Sequence, residues 1–289
     1  MTAARASPRR SQHAKRVSIA GRSFTINGDP RDRYFRECAP DGGRFGDAPV
    51  VLAERYCGPR AVVVDAGANI GLSTLGFAHI ARQGRVVAIE PSGTSFGFLV
   101  ENLERNRIDN VLPIRVALSN TAGSVRLLED AGFMAGTRIV SPDAATAVPG
   151  VEVPASTLDD VLEGAGVAAV DLVKIDVEGH EPEVLAGAAA TLARHRPLCI
   201  VEFNAYTMVY HRGAAPRDFL AQLKGIFPRI YRFDRLSGEV DDIAGRDEEF
   251  LAANEAGGFV DDLVCAFAEL PVPRRRGLWT RIVRRLARA

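Results

Sequence analysis

Apolar runs separated by amphipathic segments follow one another through the middle of the chain. The runs AVVVDAG (61–67) and RVVAIEP (85–91) are apolar until they end in an acid and a turn residue. Such runs are typical of parallel strands that helices cover on both faces. The pattern predicts strands at 61–67, 85–91, 110–118, 171–179 and 197–203, and helices at 70–82, 92–106, 181–194 and 216–227.

Strands that alternate with helices of this length indicate parallel βαβ units. The predicted fold class is therefore α/β, with a Rossmann-like, doubly wound, seven-stranded sheet that is mostly parallel. The last two strands, at 229–234 and 262–270, have no clear helix between them and are predicted to form an antiparallel edge pair. Smaller predicted elements are a hairpin at 16–28, an antiparallel excursion at 124–130 and 151–157, and a short helix capped by Thr157.

Charge divides the chain into a body and two basic ends. The formal net charge is zero, but residues 1–16 hold five basic groups and residues 271–289 hold seven, with no acid in either segment. The body between them therefore carries about −12, which argues against a nucleic-acid surface. We interpret 1–16 as a disordered basic arm, 17–270 as one domain with an N-terminal hairpin and helical extension, and 271–289 as a basic amphipathic helix.

The C-terminal helix is expected to pack on its own domain or to fray rather than to lie on a membrane surface. Its apolar stripe is formed by Trp279, Ile282, Val283 and Leu286. No apolar run approaches the roughly 20 residues that a bilayer span needs. The four cysteines form no CxxC pair, so free thiols and a reducing cytoplasm are expected.

A glycine-containing turn, DAGANIG (65–71), follows the first strand of the main pattern. Gly67 and Gly71 allow a tight turn and a close approach of the backbone to a ligand. Asp65 stands where the dinucleotide-binding pattern has its first glycine. A carboxylate there would repel a pyrophosphate but attract the ammonium and sulfonium groups of S-adenosylmethionine. Glu90, 25 residues later, ends the second strand, where a carboxylate can accept hydrogen bonds from both ribose hydroxyls.

Several segments together resemble the FkbM family of S-adenosylmethionine-dependent methyltransferases. They are VVVDAGANIGLST, VVAIEPSGTSFGFLVENLERN, RVALSNTAGSVRL, STLDDVL, LVKIDVEGHEPEVLAGA and IVEFN. The resemblance covers about residues 60–205 and implies a class I methyltransferase fold and O-methylation of a sugar, a polyketide-derived compound or another small metabolite. It implies cofactor contacts from Asp65, Gly67, Ala68, Asn69, Gly71, Glu90, Pro91, Ala117, Leu118 and Asp176.

Polar residues at the end of the fourth predicted strand, KIDVEGH (174–180), are the candidates for catalysis. In an extended strand Lys174, Asp176 and Glu178 share one face. A hydroxyl is a poor nucleophile until its proton begins to leave, so O-methylation benefits from a nearby base. Asp176, placed by the family pattern between cofactor and acceptor, and His180 are the candidates, although His180 could equally serve only to flank a helix start.

Glu202, at the end of the fifth strand, is expected to converge on the same crevice and completes the catalytic set. Asp176, Glu178, His180 and Glu202 are ligand types that could hold a divalent cation, but no spacing signature supports one, and no metal site is predicted. Glu178 pairing with Lys174 is favoured over direct catalysis.

The sequence therefore predicts an S-adenosylmethionine-dependent O-methyltransferase acting on a small-molecule acceptor, without a nucleic-acid partner. Two alternatives stay open. One is an NAD(P)-dependent oxidoreductase on a similar sheet, which Asp65 and the missing glycine disfavour. The other is a non-catalytic nucleoside-binding or scaffold protein.

Overall fold

The computed structural model describes residues 14–38, 41–130, 132–140, 150–235 and 237–270. Most of the predicted basic arm and the whole predicted C-terminal helix lie outside the described residues. No helix of the described ranges is long and apolar enough to cross a membrane.

Strands, numbered in chain order, account for the core of the fold. They are β1 Lys15–Ile19, β2 Arg22–Ile26, β3 Arg44–Phe45, β4 Val62–Ala66, β5 Arg85–Ile89, β6 Val111–Ile114, β7 Ala117–Leu118, β8 Gly123–Leu128, β9 Arg138–Ile139, β10 Val151–Ser156, β11 Leu172–Ile175, β12 Leu198–Asn204, β13 Arg229–Phe233, β14 Val240–Asp242 and β15 Val260–Ala266.

Helices connect and cover these strands. They are α1 Arg33–Glu37, α2 Ala48–Tyr56, α3 Leu72–Ile80, α4 Gly93–Arg105, α5 Leu158–Gly164, α6 Glu181–Ala186, α7 Ala189–His195, α8 Pro216–Ile226 and α9 Asp247–Ala256, with a 3-10 turn at Met134–Gly136 and a π-helical turn at Thr207–His211.

The main sheet has the order β14-β13-β15-β12-β11-β4-β5-β6. The five strands from β12 to β6 pair in parallel, as predicted, and β11 lies beside β4. Strands β15, β13 and β14 continue the sheet in antiparallel pairing. Within the described residues the sheet has eight strands rather than the predicted seven, because the short strand β14 lies in a stretch too polar to be predicted as a strand.

Both faces of the main sheet are buried. Val63 and Leu172 belong to a core on one face, whereas their neighbours Val64 and Val173 belong to a core on the other face. This alternation is the reason why the strands are continuously apolar. The first core is covered by α2, α3, α4 and the N-terminal strands, and the second by helices α5 to α9.

Two smaller sheets flank the main one. The predicted N-terminal hairpin is confirmed as β1 and β2, to which β3 adds in parallel. The predicted antiparallel excursion is confirmed as β8 and β10, which form a four-stranded sheet of order β7-β10-β8-β9. Thr157 caps α5 as predicted, since its side chain accepts a hydrogen bond from the backbone N–H of Asp160.

Three predictions about strands are corrected by the structure. The strand predicted at 110–118 is split at exposed Arg115, so that β6 pairs in the main sheet and β7 in the four-stranded sheet. The strand predicted at 171–179 ends at Ile175, because positive φ angles at Glu178 (54°) and Gly179 (95°) turn the chain. The last two predicted strands are joined by helix α9, whose first turn holds three acids that favour the helix dipole.

The helix predicted at 181–194 is interrupted at Gly187, which separates α6 from α7. A Cβ atom at this position would lie 2.1 Å from the carbonyl oxygen of Ser119, just beyond β7. Glycine at position 187 therefore allows α6 and α7 to pack closely against the backbone at Ser119. The buried thiols Cys199 and Cys265 are free, as predicted, and face each other across β12 and β15.

We predict opposite effects of two glycine-to-alanine substitutions. G187A should lower the free energy of unfolding by about 1–3 kcal/mol, because the new methyl group overlaps a backbone carbonyl. G97A is the matched control: Gly97 lies within α4 and a Cβ there would meet nothing within 4 Å. It should raise stability by about 0.5–1 kcal/mol through helix propensity. Urea denaturation of both variants measures the difference, and equal effects would contradict the close packing at Gly187.

Candidate active site

An open cleft, of about 830 Å³ including the solvent space at its mouth, lies at the carboxyl ends of β4, β5 and β11. This is the edge where doubly wound sheets bind ligands. Eight of the ten predicted cofactor residues line it: Gly67, Ala68, Asn69, Glu90, Pro91, Ala117, Leu118 and Asp176. The other two, Asp65 and Gly71, support the walls of the cleft from below.

The turn after β4 is shaped by glycine at two positions. Gly67 has a φ of 79°, and a Cβ atom on it would lie 1.8 Å from the carbonyl oxygen of Asp176. Gly71 has a φ of 94° and begins α3, where a Cβ would lie 2.7 Å from Leu99. The turn is thus pressed against β11 on one side and α4 on the other. Any side chain at Gly67 would push Asp176 away from the cleft.

Asn69 offers an unused acceptor in this turn. Its φ is 49°, in the left-handed region that asparagine tolerates better than most residues. Its side-chain oxygen Oδ1 is buried and has no hydrogen-bond partner within the described ranges. A buried acceptor without a partner is unfavourable, so a donor on a ligand in the cleft would stabilise this arrangement.

Glu90 is buried at the end of β5 and is held by the backbone. Its Oε2 accepts a hydrogen bond from the N–H of Asn69 (2.8 Å), and its Oε1 accepts one from the N–H of Ser92 (2.9 Å). Burial raises the pKa of Glu90 to about 7, although the two backbone N–H groups oppose the shift. Each carboxylate oxygen keeps a second lone pair. Glu90 therefore presents two oriented acceptors to a pair of hydroxyl groups.

Asp65 lies beneath the cleft rather than in it, and it positions Lys174. The Asp65 carboxylate is fully buried and accepts hydrogen bonds from Ser73 (2.8 Å) and Thr74 (2.6 Å). Lys174 Nζ lies 3.4 Å from Asp65 and 3.3 Å from Asp176. Burial alone would lower the pKa of Lys174, but Asp176, Asp65 and a third acid, Asp47, outweigh it and raise the pKa.

Three carboxylates converge beside the cleft, as predicted for Glu202. Asp176, Glu178 and Glu202 place oxygen atoms within 4.8 Å of one another. Burial and the charge of Asp176 raise the pKa of Glu178 to about 9 and raise that of Glu202 well above its usual range. Glu178 has no ion pair with Lys174 in the described structure, contrary to the predicted pairing, because the turn after Ile175 carries it away from the strand face.

His180, predicted as a base, is placed outside the cleft lining. Its Nδ1 lies 2.9 Å from the Arg212 guanidinium, and its Nε2 lies 3.1 Å from Ser119 Oγ. Since arginine only donates, Nδ1 must accept, and the Nε2–H then donates to Ser119. Burial lowers the pKa of His180 to about 4, with Glu183 opposing the shift. Both ring nitrogens of His180 are therefore engaged in hydrogen bonds that hold the start of α6. This is the structural role that the sequence offered as the alternative to a catalytic base.

Residues distant in sequence complete the cleft. Tyr34 comes from α1, Asp47 caps α2 and Arg138 lies in β9. Burial raises the pKa of Asp47 to about 7, assisted by Asp262 and Asp176. The sequence before Ala48-Pro49 signals a helix cap at Asp47, but no local pattern indicates that this cap reaches the cleft.

A doubly wound sheet with an acid at the end of its second parallel strand, facing a glycine-shaped turn, is an arrangement that nucleoside-binding α/β proteins share. The sequence model of the family described as "Methyltransferase FkbM domain" matches residues 65–225, which is more than half of the chain. The protein belongs to the FkbM methyltransferase family.

Two named relatives of similar sequence agree with this family. Hexuronic acid methyltransferase AglP of Haloferax volcanii is 28% identical over 190 residues, which cover 66% of this chain and 69% of AglP. The 31-O-demethyl-FK506 methyltransferase FkbM of Streptomyces tacrolimicus is 36% identical over 160 residues, covering 45% of this chain and 60% of that protein. A crystal structure of methyltransferase FkbM from Methylobacillus flagellatus KT has 19% identity and a TM-score of 0.46, covering 72% of this chain and 44% of that one.

The environment of His180 predicts a pH-dependent contribution to stability. The folded state holds the imidazole neutral, whereas the unfolded chain takes up a proton below its usual pKa, so the wild type loses stability as the pH falls from 6.5 towards 4. Glutamine does not titrate. The stability advantage of the wild type over H180Q should therefore shrink by about 2 kcal/mol between pH 7 and pH 5. Denaturant unfolding at both pH values measures this, and an advantage that stays constant would contradict a neutral, buried imidazole.

Proposed function

We propose that this protein transfers the methyl group of S-adenosylmethionine to a hydroxyl group of a small acceptor. The observation that carries the proposal is the cleft itself, in which Glu90 and the turn at Gly67 face the same space as Asp176. One side of the cleft thus suits a nucleoside and the other carries a carboxylate suited to a hydroxyl. Membership of a methyltransferase family supports this assignment over a dehydrogenase or a scaffold.

The residues of the cleft fit the cofactor. Glu90 would accept hydrogen bonds from the two ribose hydroxyls, since its remaining lone pairs are already oriented by backbone N–H groups. The unpartnered Oδ1 of Asn69 would accept from the amino group of the methionine part. Buried Ala117 and Leu118 would cover the adenine ring. When bound, the cofactor supplies a methyl group on a positively charged sulfur, which the acidic surroundings favour.

Asp176 is proposed to orient the acceptor hydroxyl and receive its proton. Its side chain is 37% exposed and is held by Lys174 at 3.3 Å. The bound cofactor would supply the methyl group. Asp176 would hold the acceptor oxygen towards that group and take up the hydroxyl proton. Alignment of the two reactants contributes most of the rate, and the base adds a smaller factor.

The proposed acceptor is a sugar, a polyketide-derived compound or another small metabolite. The names of the relatives, a hexuronic acid methyltransferase and a demethylated-FK506 methyltransferase, support these two classes. The walls contributed by Tyr34, Asp47 and Arg138 lie outside the glycine turn and would shape the acceptor side.

We predict that affinity for S-adenosylhomocysteine depends on ionised Glu90. A protonated carboxyl loses an acceptor for ribose, so binding should tighten as the pH rises through about 7. For a ligand that binds only the ionised form, the gain is about tenfold between pH 6 and pH 8. E90Q should weaken binding at least about tenfold at pH 8 and abolish the pH dependence. Calorimetric titration tests both, and an E90Q variant that binds as the wild type does would exclude this cofactor site.

Two substitutions separate the candidate bases. D176N should lower kcat by about 100-fold or more, because the amide cannot accept the proton. H180Q should lower it less than about tenfold, since His180 lies outside the cleft lining. S-adenosylhomocysteine formation, with an acceptor selected from hexuronic acids and polyketide-derived compounds, measures both rates. A larger loss in H180Q than in D176N would restore His180 as the base.

A further inference from the structure

The carboxylates of Asp176, Glu178 and Glu202 have the spacing of ligands around one cation. Their oxygen atoms all lie within 4.8 Å of one another. Oxygens that bind a common Mg²⁺ or Ca²⁺ lie about 2.0–2.6 Å from it, and so at most about 5 Å from each other. The three side chains come from the ends of neighbouring parallel strands, and none requires a change of backbone to face the others.

A fourth acid, Glu181, lies near enough to this group for its charge to act on Glu178 and Glu202. Its side chain is fully buried, and its Oε1 accepts hydrogen bonds from the N–H groups of Val177 (2.9 Å) and Gly179 (3.2 Å). These two residues flank Glu178, so the Glu181 carboxylate is seated under the loop that presents Glu178. Its other oxygen, Oε2, is buried and has no hydrogen-bond partner among the residues described. An unpaired carboxylate oxygen in this position is unfavourable unless a donor approaches it.

Positive charge from the protein reaches Glu178 and Glu202 only from a distance, from Lys174 and Arg138 in the first case and from Arg235 in the second. Lys174 divides its ammonium between Asp65, Asp176 and the carbonyl oxygens of Ala66 and Gly67. Within the described part of the chain, no lysine or arginine lies within 4.0 Å of Glu178, Glu202 or Glu181. Half-buried carboxylates that lack a close ion-pair partner, as Glu178 and Glu202 do, repel one another strongly.

We propose that Asp176, Glu178 and Glu202 bind a divalent cation, with Glu181 accepting a hydrogen bond from a water molecule on it. An all-oxygen, carboxylate-rich set favours Mg²⁺ or Mn²⁺ over softer metals. His180, which the sequence grouped with these acids, is excluded because Ser119 and Arg212 occupy its ring nitrogens.

The position of the cation suggests its use, which rests on the proposed methyl transfer. Asp176 and Glu178 line the cleft, so a cation between them faces the acceptor side. A hydroxyl bound to a divalent cation loses its proton more readily. One oxygen of Asp176 can bind the cation while the other stays available to the acceptor proton. The cation would therefore supply the activation that His180 is not placed to give.

The test is the binding of Mn²⁺ to protein that has been freed of metal with EDTA. The electron paramagnetic resonance signal of free Mn²⁺ measures how much remains unbound. We expect one Mn²⁺ per chain, displaced by Mg²⁺, and a dissociation constant raised at least about tenfold in E178Q and in E202Q. E248Q is the matched control, because Glu248 is an exposed partner of Arg217 on α9. It should bind Mn²⁺ as the wild type does.

Titration of the same samples with S-adenosylhomocysteine separates the two proposals and shows that each variant is folded. A wild type that binds S-adenosylhomocysteine but no stoichiometric Mn²⁺ would overturn the cation site and leave the proposed function intact. Mn²⁺ binding without S-adenosylhomocysteine binding would support the cation site and overturn the proposed function. Equal Mn²⁺ affinity in wild type and E202Q would also overturn the site as assigned.

Discussion

The buried ammonium group of Lys174 is the interaction on which the cleft depends. It is almost completely shielded from water, and it joins the turn after β4 to the end of β11 through carbonyl oxygens and two carboxylates. A buried charge is tolerated only where such partners surround it. β4 and β11 already pair through their backbones, and the Asp176 N–H donates to the Ala66 carbonyl. Lys174 extends this contact beyond the strand ends, so that it ties the glycine turn to the Asp176 side chain.

The role of Asp65 follows from this arrangement. Its place in the turn suggested direct attraction of a positively charged ligand, yet its carboxylate is sealed under the cleft by Ser73 and Thr74. Its charge acts through Lys174, which lines the cleft. An acid at the end of a buried strand can thus shape a site electrostatically without touching the ligand.

Much of the fold could be predicted from local sequence, and so could the site residues that end the parallel strands. The parallel strands were predictable because both their faces are buried and most of their residues are therefore apolar. The residues at their ends, such as Glu90 and Asp176, were predictable because parallel strands bring their carboxyl ends to one edge. The position of His180 was not predictable, because a turn separates it from Asp176. Two successive positive φ angles, at Glu178 and Gly179, carry the chain from the cleft into α6. Tyr34 and Asp47 reach the cleft by tertiary packing alone, which no local pattern encodes.

The splitting of the third predicted strand gives the cleft two independent walls. Glu90 belongs to the main sheet, whereas Ala117 and Leu118 pair with β10 in the four-stranded sheet. Arg115 and Val116 connect the two without belonging to either sheet. A change in the angle between the two sheets would therefore move Ala117 and Leu118 relative to Glu90. No strand of the main sheet would need to separate from its neighbours.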